Sequence, residues 1–220
     1  MRIGIIGAGR IGGNCATQLA RGGHEVKLGF SRDPAKLEAL AADIGERAGV
    51  GTPAEVTGFA EVVVLSVPWD AIDEALEQAG SLEGKIVIDT TNQFGSVSLP
   101  AAGETAAQHN ARRMPGASYT KSFNTLTSAF QGEVAFRAPE ERVVQWVCGD
   151  DRDAKGVVMG LIEDAGYVPV DLGGPADCEV MEMPRREGAV YGEEYRLPDA
   201  EKVVEAVRAG RPIPPPPSYS

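Results

Sequence analysis

Three glycines near the start of the chain have the spacing of an anion cradle. Gly7-Ala8-Gly9-Arg10-Ile11-Gly12 is a G-x-G-x-x-G loop. In such a loop the first glycine permits a tight turn and the second lets the backbone approach a pyrophosphate. The third lets a helix pack closely on a strand. The free N–H groups and partial positive charge at the helix start then face the phosphates. This chemistry, dinucleotide binding, requires a strand before the loop and a helix after it. Arg2-Ile3-Gly4-Ile5-Ile6 is an apolar strand, and Ile11, Cys15 and Leu19 recur every four residues as one helix face. A second strand, His24 to Phe30, completes a βαβ unit.

The end of that second strand selects the cofactor. An NAD site places Asp or Glu there, about twenty residues beyond the loop, to bind the ribose 2′-OH. Here Ser31-Arg32 holds the place, with Lys36 one helical turn further on. A guanidinium there can clamp a 2′-phosphate, so NADP is expected. Asp33 has two readings. It can serve the ribose, or it can cap a helix that starts with Pro34. Leu37, Leu40, Ala41 and Ile44 form the buried stripe of that helix.

No nucleophile–base triad stands out. If the reaction needs a proton, Tyr119, Tyr191 and Tyr195 are the candidate acids, although amphipathic packing explains each of them too. His24 and His109 read as surface residues. Asp150, Asp151 and Asp153 suggest a metal cluster, but they precede a helix, and capping is the simpler account. No metal site is expected. Trp69 follows a strand's carboxyl end, where ligands bind in open α/β sheets, and either walls the cleft or simply packs.

Strand and helix patterns alternate along the chain, as in a Rossmann-type, doubly wound α/β fold with a mostly parallel sheet. Further strands are expected at 48–52 (short), 61–67, 85–89, 118–123, 143–148 and 167–171. Pro169 points to an edge position for the last. Helices are expected from Pro53, from a cap at Asp70, over about 103–113 and over 153–165. Thr91-Asn92-Gln93-Phe94-Gly95 opens a long loop. After Gly173-Gly174-Pro175 the segments become short and charged, with a small helix over 199–209 and an extended proline-rich stretch over 212–220. We divide the chain into an NADP-binding Rossmann domain, 1–174, and a short irregular C-terminal appendage, 175–220.

The 220 residues can bury one good core. A net charge of −11 argues against nucleic acid or an anionic membrane as partner. No apolar run reaches the roughly 20 residues of a membrane span. The first strand leaves no room for a signal peptide, and Cys15, Cys148 and Cys178 lack metal-ligand spacing. A reducing, cytoplasmic setting is expected.

Taken together, several motifs resemble the F420-dependent NADP oxidoreductases and the related reductase domains of membrane metalloreductases. They are Gly7 to Gly12, Ser31-Arg32 with Lys36, Ser66-Val67-Pro68-Trp69, Lys121-Ser122-Phe123-Asn124-Thr125, Cys148-Gly149-Asp150-Asp151 and Val168 to Gly173. The resemblance spans residues 1 to about 175. It implies an NADP(H)-binding domain that passes a hydride to a partner cofactor such as coenzyme F420. It assigns Ser31, Arg32 and Lys36 to the 2′-phosphate, and Ser66 to Trp69 with Asn92 to the cofactor cleft. The same resemblance implies that Asn124, Thr125 and Leu126 lie beside the nicotinamide, with Asn124 as the catalytic candidate. Such a transfer needs two rings held close and dry rather than a nucleophile. A small organic imine or ketone is the alternative acceptor, and a non-catalytic NADPH sensor the alternative role.

The chain departs from the family after residue 175. Asp177, Glu179 and Glu182 are poor partners for the phosphate and glutamate tail of F420, while Arg185 and Arg186 offer a substitute anion contact. Val180, Met181, Met183, Val190, Tyr191 and Tyr195 need cover. The nicotinamide end of the cleft and a two-fold interface are the places expected to provide it, and a homodimer is the expected assembly.

Overall fold

Continuous runs of β-branched residues make strands that are buried on both faces. Val62–Leu65 is fully buried, and Ile3, Ile5, Ile6, Val87 and Ile88 are equally shielded in the neighbouring strands. The computed structural model describes residues 1–219. Its strands are β1 Arg2–Ile6, β2 Glu25–Gly29, β3 Ala48–Val50, β4 Val62–Leu65, β5 Ile86–Asp89, β6 Ser118–Ser122, β7 Val144–Gly149 and β8 Val168–Gly173. They form one sheet in the order β3-β2-β1-β4-β5-β6-β7-β8. From β3 to β6 every pairing is parallel. The expected Rossmann-type α/β architecture is therefore present. Pro169 lies in the edge strand β8, where its missing N–H breaks no ladder on the open side.

The apolar stripes of the helices decide which face each one covers. On one face lie α1 Arg10–Arg21, α2 Pro34–Ile44, α6 Ser128–Val134 and α7 Arg152–Asp164. They bury Cys15, Leu19, Leu37, Val134, Val158 and Leu161. On the other lie α3 Pro53–Phe59, α4 Ile72–Ala79, α5 Ala106–Arg112 and α8 Leu197–Arg208, burying Val56, Ile72, Ala75, Ala107 and Val203. In α2 only Leu37 is fully buried, while Leu40, Ala41 and Ile44 are half-buried.

β7 reverses the direction of the sheet. It pairs antiparallel with β6, Thr120 facing Gly149 and Ser122 facing Val147, and β8 follows β7 in parallel. The carboxyl end of β7 therefore lies beside the start of β6, and the Ser118 hydroxyl donates to Asp151 Oδ2 at 2.7 Å. Asp151 caps α7 by accepting from the amides of Asp153 and Ala154. Capping thus accounts for Asp151, and Asp153 lies in the first turn of α7.

Four local expectations need correction. Asp70 does not cap a helix. A 3-10 turn, Trp69–Ala71, precedes α4, and Asp70 Oδ1 instead accepts from the amides of Ser96 and Val97 at 3.1 and 3.3 Å. His24 is not a surface residue. It is 8% exposed, with Nε2 3.0 Å from Asp164 Oδ2 and Nδ1 3.2 Å from the terminal amine. His109 is half-buried and stacks on Trp69 with ring centroids 5.9 Å apart. Helix α6 fills a stretch for which the sequence gives no element.

Residues 175–208 pack against the face that carries α5. A 3-10 segment, Pro175–Met181, buries Cys178 and Met181 completely, and Val190, Tyr195, Ala200 and Val203 join the same core. Tyr195 meets Trp146 of β7 edge-on, with centroids 5.3 Å apart. Glu182 reaches the start of α5, where its two carboxylate oxygens accept from the amides of Ala106 and Ala107 at 2.9 and 2.8 Å. Ser220, the end of the proline-rich stretch, lies outside the described residues.

Candidate functional site

At Gly7 the backbone needs a φ of +93°, and a Cβ there would overlap the Ser66 carbonyl oxygen. A Cβ on Gly12 would overlap the Gly7 carbonyl oxygen. Nothing lies within 4 Å of a Cβ on Gly9. The first and third glycines are thus forced by close approach within the chain, whereas the second faces open space. Gly9 is the N-cap of α1, whose first turn has no acidic residue. That turn leaves free N–H groups and an uncompensated positive pole directed at the opening.

Strand ends β1, β4, β5 and β6 open onto a cleft of about 640 Å³. Its glycine side is made by Gly9, Arg10 and Ile11, and the β4 end supplies Ser66, Val67, Pro68 and Trp69. Asn92 from the β5 end, with Asn124 and Leu126 from the β6 end, closes the far side. All of these were expected from the sequence. Trp69 is a wall of the cleft, 2% exposed, and its indole N–H donates to the Val97 carbonyl at 2.9 Å. Gly7, Ala8 and Gly12 support the loop without lining the hollow, and Thr125 is buried beneath it.

The two asparagines hold each other. Asn92 Nδ2 donates to the Asn124 carbonyl at 2.9 Å, and Asn124 Nδ2 donates to Asn92 Oδ1 at 3.2 Å and to the Met181 carbonyl at 2.7 Å. Among the described residues Asn124 Oδ1 is left buried with no partner. An orphaned acceptor at a cleft wall costs stability unless a ligand donor meets it. Phe123, just before it, has φ +56°, and Phe30, just before Ser31, has φ +60°. Left-handed backbone at a bulky residue is strained and clusters at functional sites. Each kink turns the chain sharply at a strand end, directly ahead of the expected cofactor residues.

Ser31, Arg32 and Lys36 lie outside the cleft, the first two on the exposed loop between β2 and α2 and Lys36 exposed in the first turn of α2. Among the described residues the Arg32 guanidinium has no ion-pair partner. Asp33 is at the N-cap position with Pro34 next, yet its carboxylate makes no cap bond and sits 3.7 Å from Lys36 Nζ. The Ser31 hydroxyl is tied to Asp33, accepting from its amide and donating to its carbonyl.

Sequence reasoning missed Thr90, Thr91, Thr127 and Ser128 on the cleft wall, and Phe94 at its mouth. All follow strand carboxyl ends, and that position was the available signal. Of the candidate acids, Tyr191 lines the cleft. Tyr119 is buried and donates to Asp89 Oδ2 at 2.6 Å, and Tyr195 lies in the core. The acidic residues expected to repel F420 are elsewhere. Asp177 accepts from the Gly174 amide, Glu179 is 3.7 Å from Arg186, and Glu182 caps α5. Arg185 pairs with Glu193, so the substitute anion contact does not line the cleft. A second hollow, about 590 Å³ between β8 and α8, shares no residue with the cleft.

Residues 2–93 match the family model described as NADP oxidoreductase, coenzyme F420-dependent. The resemblance read from the motifs is borne out over those residues. Metalloreductase STEAP3 of Rattus norvegicus is 28% identical over 186 residues, covering 84% of this chain and 36% of the relative. The chain therefore spans about a third of the length of that curated relative. Among solved structures, a Sinorhizobium meliloti protein superposes with a TM-score of 0.77 at 28% identity, covering 89% of this chain and 95% of its own. A protein assigned as an F420-dependent NADP-reductase from Arthrobacter sp. FB24 gives 0.66 at 27% identity, covering 79% and 85%. Among the described residues, no helix is long and apolar enough to cross a membrane.

Proposed function

We propose that this protein is an NADP(H)-dependent oxidoreductase that passes a hydride between the nicotinamide and an acceptor in the Asn92–Asn124 end of the cleft. The carrying observation is the continuity of the glycine cradle, the strand-end cleft and the orphaned Asn124 Oδ1. The cradle fits a pyrophosphate because Gly9 faces open space while Gly7 and Gly12 have no room for a side chain. Arg32, free of a carboxylate partner, and Lys36 would hold the 2′-phosphate. Asn124 Oδ1 would accept from the carboxamide N–H₂ of the nicotinamide and orient the ring, with Thr125 and Leu126 behind it. When bound, NADPH supplies a hydride. The protein's share is binding, orientation and exclusion of water.

The family match makes a deazaflavin ring of the F420 type the first acceptor to test. Residues 1–174 would hold NADP(H), and residues 175–220 would supply the acceptor end through Tyr191. A second reading, a compact imine or ketone, is favoured by one observation. Among the described residues Arg10 is the only cationic side chain lining the cleft, whereas F420 carries a phosphate and carboxylates. Three free buried cysteines support a reducing, cytoplasmic setting. Phe94, Val97 and Leu99, exposed beside the cleft, support a homodimer.

Nucleotide binding is tested by NADPH and NADH fluorescence titration, and turnover by NADPH oxidation with F420. Tighter binding of NADPH than of NADH, with turnover of F420 or of a compact imine, is the expected result. Equal affinity for NADH and NADPH overturns the NADP assignment. NADPH binding without turnover of F420 or of an imine favours a sensor.

A further inference from the structure

We propose that the phenol of Tyr191 donates the proton that accompanies hydride transfer, and that the acceptor it serves is a compact carbonyl or imine. This rests on the NADP(H) reading above. Tyr191 is half-buried on the cleft wall, its ring 6.5 Å from that of Phe94 and tilted 56° to it. Three backbone contacts fix its segment to the nicotinamide end. The Gly192 amide donates to the Thr125 carbonyl at 2.8 Å, and Asn124 Nδ2 to the Met181 carbonyl at 2.7 Å. The Met183 amide lies 3.4 Å from Asn92 Oδ1. The backbone on either side of Tyr191 is thus tied to the same residues that would orient the cofactor ring.

Elimination leads to the same residue. Of the ionisable side chains on the cleft wall, Arg10 stays charged, and Asp70 spends an oxygen on the Ser96 and Val97 amides. His24 is paired with Asp164 behind α1, and His109 stacks behind Trp69. Burial raises the Tyr191 phenol above its ordinary range, so it is protonated at neutral pH. Around its segment Arg185 pairs with Glu193, and Glu194 lies 3.4 Å from Arg137 and 3.5 Å from Arg196. Arg10 and Asp70 are the charged groups elsewhere on the cleft wall.

The step balances. The acceptor carbon gains the hydride and its electron pair as a new C–H bond. The C=O or C=N π pair moves onto oxygen or nitrogen, which takes the phenol proton. The phenolate regains a proton from water at the open mouth. One NADPH and one proton are consumed per acceptor reduced.

The test compares the full chain with Tyr191→Phe. Phenolate absorbance near 295 nm is titrated without ligand, with NADP⁺ and with NADPH. A cationic ring within contact distance should lower one tyrosine midpoint by about 1 unit or more. The drop is expected with NADP⁺, not with NADPH, and not in Tyr191→Phe. In parallel, 2-methyl-1-pyrroline and cyclohexanone are offered with NADPH. Tyr191→Phe should lower kcat about 10²- to 10⁴-fold with NADPH affinity unchanged. A titration insensitive to NADP⁺, an unchanged kcat, or no turnover of either probe overturns the proposal. Failure of NADPH to bind is read separately by its fluorescence, and removes the cofactor reading and this proposal together.

Discussion

Lys121 and Asp89 form an ion pair inside the sheet, Nζ to Oδ2 at 3.5 Å, with neither side chain exposed. Between them they grip one residue on both sides. Asp89 Oδ1 accepts the Thr91 amide at 2.8 Å, and Lys121 Nζ donates to the Thr91 carbonyl at 2.7 Å. Thr91 precedes Asn92, so the pair fixes the chain at the point where β5 enters the cleft. Removing one partner strands a buried charge, which typically costs about 3–5 kcal/mol. Lys121→Met should lower unfolding free energy by that order in urea titration. Asp89→Asn in the same chain should recover part of it. Equal stability of Lys121→Met and the parent would show that the charges are already neutralised.

The same pair sets a pH dependence. Burial alone would push Asp89 up, but the Lys121 charge and hydrogen bonds from Tyr119, Asn110 and the Thr91 amide hold it below the carboxylate range. Its contribution is therefore present above the unfolded-state value, about 3.9, and lost as pH falls through the lower folded value. Burial likewise opposes the charge on Lys121, but Asp89 and Glu182 raise it above the lysine range. Its contribution is present below about 10.4 and lost as pH rises through the folded value. Thermal unfolding should show a plateau between these limits. Asp89→Asn should flatten the acid limb, and an unaltered limb would assign it to other carboxylates.

Arg32→Ala should weaken NADPH about ten- to a hundred-fold, the equivalent of a charge-assisted contact of about 1.5–3 kcal/mol. NADH affinity should barely move. The exposed guanidinium has no carboxylate to release, so the loss reports the 2′-phosphate directly. A parallel loss for both nucleotides would place Arg32 elsewhere on the cofactor.

The glycine loop separates binding from folding. Gly9→Val should leave the melting temperature nearly unchanged and abolish NADPH binding, because its side chain enters open space at the cradle. Gly12→Ala should destabilise the protein with or without ligand, since its Cβ overlaps the Gly7 carbonyl. Melting curves of the two free variants distinguish the cases. Retained affinity in folded Gly9→Val would move the phosphates away from this loop.

Cutting the chain after Gly174 should cost the fold itself, because the removed segment belongs to the core. Met181, Val190, Tyr195 and Val203 are at most 1% exposed, and their loss uncovers Trp146 on the sheet face. The shortened chain should be insoluble or lack near-UV dichroism. A soluble product with native dichroism and full NADPH affinity would make the segment dispensable to the fold.

The βαβ start, the strand runs and the cleft residues that follow strand ends were legible because each depends on local spacing. Helix α6 was not: the equally short α3 and α5 each open on a capping box, and α6 does not. The direction of β7 was not, because an apolar run is equally buried either way. His24 and Glu182 find partners 140 and 75 or 76 residues distant, and no window of sequence contains both members. Tyr191 was noticed for its chemistry alone. Its place in the cleft depends on the Gly192–Thr125 contact, which has no sequence pattern.

The reversal at β7 has an electrostatic consequence. A parallel β7 would bring the acidic start of α7 to the end of the sheet where the glycine loop opens. Running backwards, it carries Asp150, Asp151 and Asp153 to the opposite rim, beside Ser118. The five residues of β6 span about 17 Å. That is some two screening lengths at physiological ionic strength, taking about 8 Å for each. A chain with a net charge of −11 can thus keep a site for a multiply charged anion by turning one strand around. Its repulsion is spent in solvent at the far rim.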